Sequence, residues 1–208
     1  MTDNVYAAPQ ANMSSASDQS GDTRFFVVST TKLAVMYLGT FGIYLLYWYY
    51  KQWELYKESQ PFDSPAGKIW PAMRAIFSFL FTHALFGKVK AAQPDHPAVA
   101  AWSPMRDATL VVLLMFGPMI LSWTMPGPHS PLTPRLIAMA LMFPIATVLC
   151  RVQARINAVC GDETGAANRH ITGANIAWLV LGSLGWLIFG LAGIGLLLGM
   201  NESGADGY

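Results

Sequence analysis

The stretch LGTFGIYLLYWYYKQWELYK, Leu38–Lys57, decides how this chain is read. Its first half is apolar, five of the seven residues from Tyr44 to Tyr50 are aromatic, and charge arrives abruptly at Lys51. Together with the residues before it, this stretch supplies a first uncharged segment, Leu33–Tyr50. As one helix at about 1.5 Å per residue, that segment is about 27 Å long, close to a hydrocarbon core of about 30 Å. Trp and Tyr rings settle at headgroup depth, so Tyr47, Trp48, Tyr49, Tyr50 and Trp53 are expected to form half of an interfacial belt. Lys51 and Lys57 follow, where ammonium groups reach lipid phosphates.

The composition agrees. Charged residues are 12% of the 208, about half of the roughly 25% usual for soluble domains, while hydrophobic residues are 53%. No Asp, Glu, Lys or Arg occurs between Lys32 and Lys51, Asp107 and Arg135, Arg135 and Arg151, or Arg169 and Glu202. Uncharged apolar stretches of about 17–25 residues are membrane-span candidates. A net charge of +1, with no basic run interleaved by aromatics, argues against a nucleic-acid partner. Cys150 and Cys160 have neither CxxC spacing nor a clustered histidine, so no disulfide framework or zinc site is expected.

Residues 1–24 are small, polar and proline-punctuated, and read as a disordered tail. Residues 25–200 are expected to be a helical transmembrane domain, and 201–208 a short acidic tail. Segment two, Ile69–Gly87, carries Arg74 and His83, and Arg74, Ser78 and Thr82 make one polar stripe at helical spacing. It either spans with the stripe turned inward or lies in the interface with the stripe facing water. The absence of an acidic partner for Arg74 in any apolar run favours the interface.

Segments three (Thr109–Met125) and four (Leu136–Cys150) form a hairpin joined by PGPHSPLTP, each with an internal proline, Pro118 and Pro144. With no ionisable neighbour, those prolines read as kinks tolerated in a bundle rather than as a substrate site. Segment five, Ala174–Met200, contains GLLLG, Gly195–Gly199. Gly195 and Gly199 fit the small-xxx-small pattern of close helix packing, within this bundle or between copies. The fold class expected is an all-α membrane protein, a bundle of four to five transmembrane helices, one of them interfacial or re-entrant. Arg151, Arg155 and Arg169 mark residues 151–169 as a cytoplasmic loop and place the C-terminus outside.

No GxSxG, HExxH, Walker A or GxGxxG occurs, and the four histidines fall in four separate regions. No catalytic, cofactor-binding or metal-ligating residue is expected. TFGIY followed by YW and YK, with FFVVSTTKL, WPAMRAIFSFLFTHALF and RVQARINAVCG, resembles a group of small bacterial membrane proteins gathered under a domain of unknown function. The similarity covers most of Phe25–Met200 and implies a bacterial inner membrane and a helical bundle. It implies no substrate. The expected function is a non-enzymatic accessory or scaffold protein whose partners are the bilayer and another membrane protein or a second copy. The alternative is a small channel or transporter with a polar path near Arg74 and His83.

Overall fold

The computed structural model describes residues 24–124 and 132–197, where all regular structure is helical. The helices are α1 (Thr30–Gly39), α2 (Tyr44–Glu58), α3 (Pro71–Ile76), α4 (Ser78–Ala92), α5 (Pro97–Ala100), α6 (Pro104–Thr124), α7 (Leu132–Val159) and α8 (Gly173–Leu197). Both expected tails, apart from Arg24, lie outside the described residues, as do Gly199 and most of the proline connector.

Segment one is not one helix. The chain breaks at Thr40–Ile43, inside the TFGIY motif, and reverses. Phe41 has φ 55° and Gly42 φ 81°, so two successive residues leave the right-handed region. Gly42 N–H donates to Tyr37 O at 2.8 Å and Phe41 N–H to Leu38 O at 3.3 Å, which closes α1 in a Schellman arrangement. Thr40 Oγ1 donates to Met36 O at 2.6 Å and accepts the Tyr44 N–H at 3.0 Å, tying the end of α1 to the start of α2. Ten residues of α1 rise only about 15 Å, half a bilayer core. After the turn, α2 runs back beside the extended residues that precede α1: Tyr47 meets Phe26, and Tyr56 stacks on Phe25.

That return path explains the aromatic cluster. Leu45, Trp48, Tyr49, Gln52, Trp53 and Tyr56 repeat at helical spacing and are all buried. Trp48, Tyr49 and Trp53 have no exposed surface, so these three are core residues and not an interfacial belt. Tyr47 is half-exposed, and Tyr50 donates its hydroxyl to Glu54 Oε1 at 2.7 Å. Each fully buried large side chain contributes about 1.5–3 kcal/mol, so this one helix face supplies a large share of the core.

Segment two is bent at Phe77, between α3 and α4. Helices α6 and α7 pair as the expected hairpin and run through Pro118 and Pro144 without interruption. The expected loop at 151–169 is corrected: α7 continues to Val159 because Val152, Ile156 and Val159 carry its buried stripe onward. Beyond it, Asp162 holds a tight turn, its carboxylate accepting the N–H groups of Ala166 and Ala167, each at 2.9 Å. Those two bonds keep the Asp162 carboxyl below the usual aspartate range. A depressed folded value stabilises above the unfolded value of about 3.9 and loses that stabilisation as pH falls through the folded one. Unfolding of wild type and Asp162→Asn should therefore differ by a constant margin from pH 5 to 7 in the wild type's favour. That margin should shrink steadily below about pH 4.

Among the described residues, two helices are long and apolar enough to cross a membrane, α7 over Ile137–Val159 and α8 over Gly173–Gly195. Only 6% of the α8 window is buried within the chain, which the core helix of a soluble protein would not tolerate. Ile176, Val180, Leu184, Leu187, Leu191 and Ile194 all face outward. Charge collects at the opposite end. Lys88 lies over Tyr56, Arg155 lies over Trp102, and Trp102 packs on Phe86, so the ends of α2, α4 and α7 share one region. With α1 and α2 reversed, all thirteen Lys and Arg but Arg135 fall at that end by chain order and contact.

Candidate functional site

The extended residues Phe25–Ser29 bury Phe25 and Val28 without belonging to a sheet or helix, so their backbone groups need other partners. Side-chain amides supply them. Gln52 accepts the Phe26 N–H at 3.0 Å and donates to Phe26 O at 3.1 Å. Gln153 donates to the same oxygen at 3.0 Å and to Asn157 Oδ1 at 2.7 Å, while its Oε1 accepts Trp48 Nε1 at 2.6 Å. Asn157 donates to Val28 O at 2.9 Å, and Asn168 to Val27 O at 3.2 Å. Gln52, Gln153 and Asn157 are completely buried. These amides are engaged with the backbone of Phe26–Val28, with one another and with Trp48 Nε1.

Lys32 differs. It is 5% exposed, yet its ammonium donates to two neutral oxygens, Asn168 Oδ1 and His170 O, both at 2.7 Å. The ion pairs among the described residues, Lys51–Glu54 and Arg106–Asp107, leave it without a carboxylate. Burial with no compensating charge pushes its pKa down. Lys32 lines a cavity of about 500 Å³ between the α1–α2 reversal and the start of α8. The cavity lining is polar at Lys32, Asn168, Thr172 and Asn175 and largely apolar at Ile43, Leu46, Tyr47 and Trp178.

The polar stripe of segment two turns inward, not toward water. Ser78 and Thr82 are buried against α2, Thr82 Oγ1 lying 2.6 Å from Tyr49 Oη and donating to Ser78 O at 2.8 Å. Arg74 is half-buried with its guanidinium over the Trp53 ring, 4.3 Å from the centroid, and over Phe81 at 4.9 Å. The ring faces stand where a carboxylate is missing. His83 meets Thr109 Oγ1 of α6 at 3.0 Å, so it and Arg74 belong to different contacts. The Tyr49–Thr82 pair gives a direct test of the inward stripe. Tyr49→Phe and Thr82→Val should each destabilise by about 1 kcal/mol and be non-additive in a double-mutant cycle of unfolding in detergent. Additive effects would separate the two groups.

The glycines of α8 also sort themselves. A Cβ at Gly195 would meet nothing within 4 Å, whereas one at Gly182 would lie 2.0 Å from Gly39 O. Close packing of α8 on α1 occurs there, and Trp186 Nε1 donates to Leu38 O at 3.0 Å, a second donor to the carbonyl that already accepts the Phe41 N–H at the end of α1. Sequence reasoning missed Gln52, Gln153, Asn157 and Lys32. The signal was present for two of them: Gln153 and Asn157 stand at i, i+4 on a stripe otherwise occupied by Val152 and Ile156.

No family model matches the chain, and neither a curated protein nor a solved structure matches it. Among the described residues, no group of three or more His, Cys, Asp or Glu could hold a metal ion.

Proposed function

We propose that this chain is a non-enzymatic accessory or scaffold protein of the bacterial inner membrane. The observation that carries the reading is the partition of charge created by the Thr40–Ile43 reversal, with Arg135 alone of the Lys and Arg residues at the other end. By the positive-inside rule the charged end faces the cytoplasm. The α6–α7 hairpin and α8 cross the bilayer, and the α1–α2 pair enters and returns from the cytoplasmic side. Its broken backbone is tolerable at depth because the turn's own N–H groups bond its carbonyls, Thr40 Oγ1 takes the Tyr44 N–H, and Trp186 adds a donor to Leu38 O.

Tyr208 then lies outside the cytoplasm. A reporter active only in the cytoplasm should be silent when fused after Tyr208 and active when fused ahead of Phe25. Activity at both ends would overturn the topology. The scaffold role predicts that the chain, purified from native membranes, brings down another membrane protein in fixed ratio and passes no solute in liposomes. Solute flux abolished by substitution of Arg74 or His83 would overturn it in favour of a transporter. Against transport stands the inward pairing of Ser78, Thr82 and Tyr49, which leaves that stripe no open polar path.

A further inference from the structure

We propose that the cavity between the α1–α2 reversal and the start of α8 binds an anionic phospholipid, its phosphate against Lys32 and an acyl chain against Ile43, Leu46 and Trp178. The cavity, at about 500 Å³, falls within the range of small-ligand sites, about 300–1,000 Å³. Its lining joins a charged and polar group of side chains to an apolar one, as an amphiphile requires. An ammonium offers three donors, and Lys32 uses two on neutral oxygens, leaving one donor and a whole charge uncompensated among the described residues. A buried charge without a counter-charge is costly, and an anion in the cavity would remove that cost.

The apolar part of the lining says where the anion comes from. Ile43, Leu46, Tyr47 and Trp178 are each about half-exposed, and Trp178 continues into the outward apolar face of α8. A chain entering from the bilayer reaches the cavity along that face without crossing water, whereas free phosphate would gain nothing from it. The site lies where α8 begins, on the charged side, at the level expected for cytoplasmic headgroups. The inference rests on the membrane placement proposed above, and carbonate extraction of native membranes reads that placement independently of any binding.

The test uses the full-length protein, delipidated in a nonionic detergent and titrated under native mass spectrometry. The probes are phosphatidylglycerol, phosphatidylcholine with the same chains, palmitate and inorganic phosphate. Phosphatidylglycerol should bind at least tenfold more tightly than each of the other three. Lys32→Gln should abolish the preference over phosphatidylcholine. Thr172→Asp is the second variant, because Thr172 is exposed and its Oγ1 accepts the Asn175 N–H at 3.4 Å as a helix cap. Aspartate caps equally well, so the fold is retained while a negative charge at the cavity opposes the phosphate. This variant should also lose the preference. Equal binding of the two phospholipids, a preference surviving in Thr172→Asp, or palmitate or inorganic phosphate binding as tightly as phosphatidylglycerol would each overturn the proposal.

Discussion

Replacing Gly182 by leucine is expected to separate α8 from α1 and lower the apparent unfolding temperature in detergent by about 6–12 °C. The reason is a backbone contact. A Cβ at Gly182 would sit 2.0 Å from Gly39 O, 2.8 Å from Thr40 Cα and 2.9 Å from Gly39 C, and none of these is the yielding end of a side chain. Even alanine does not fit without moving one helix. Overpacking a well-fitted contact costs about 1–3 kcal/mol, and rigid backbone puts this case at the upper end. For a chain of this size, 1 kcal/mol corresponds to about 2–4 °C. Displacing α8 also withdraws Trp186 from Leu38 O and from Phe41, 4.4 Å between ring centroids, so the reversal loses its lid. Gly195→Leu is the control and should be silent within the monomer, since a side chain there enters open space. Equal behaviour of the two variants would mean that α8 does not rest on α1 through Gly182.

The second large effect belongs to the amide seam. Gln153→Leu keeps approximate volume while deleting four hydrogen bonds, the longest of them from Gln52 Nε2 at 3.4 Å, inside a region with no solvent access. Trp48 Nε1 loses its partner outright, and Asn157 Oδ1 keeps only the longer bond from Val28 N–H at 3.4 Å. Phe26 O is spared complete orphaning because Gln52 still donates to it. An unsatisfied buried polar group costs about 1–3 kcal/mol, so the variant should lose on the order of 3–5 kcal/mol. Asn157→Leu frees both Val28 groups and should cost a similar amount. The double variant should fall short of the sum, because Gln153 and Asn157 bond each other at 2.7 Å. Denaturant unfolding in detergent measures all three. A Gln153→Leu protein as stable as wild type would show that the segment Phe25–Ser29 is not held by this seam.

Some of the fold is legible residue by residue. Helix α8 is one, since its apolarity is continuous and needs no partner to be recognised. The α6–α7 hairpin is another, because prolines cluster between two apolar runs. The candidate site was less accessible. Lys32 looks in sequence like an ordinary flanking lysine, and only its distance from every carboxylate among the described residues gives it meaning. The apolar runs of the sequence hold no acidic partner for Arg74, but its aromatic seat on Trp53 and Phe81 comes from residues 21 positions before it and 7 after.

Local composition settled the helical class, the shortage of charge and the apolar lengths, because hydropathy and helical periodicity are properties of neighbours along the chain. Three outcomes required the folded chain. The run Leu33–Tyr50 reverses instead of continuing, because Phe41 is held at positive φ by contacts with Trp186 and Phe189, more than 140 residues away in sequence. Trp48, Tyr49 and Trp53 became core because α2 returns alongside Phe25–Ser29 and α7 instead of emerging into headgroups. Gln52 and Gln153 became a clamp because that return puts them within hydrogen-bond reach of one carbonyl. Length and hydropathy sum over consecutive residues and are blind to direction, whereas burial and hydrogen-bond pairing depend on which distant segment arrives opposite.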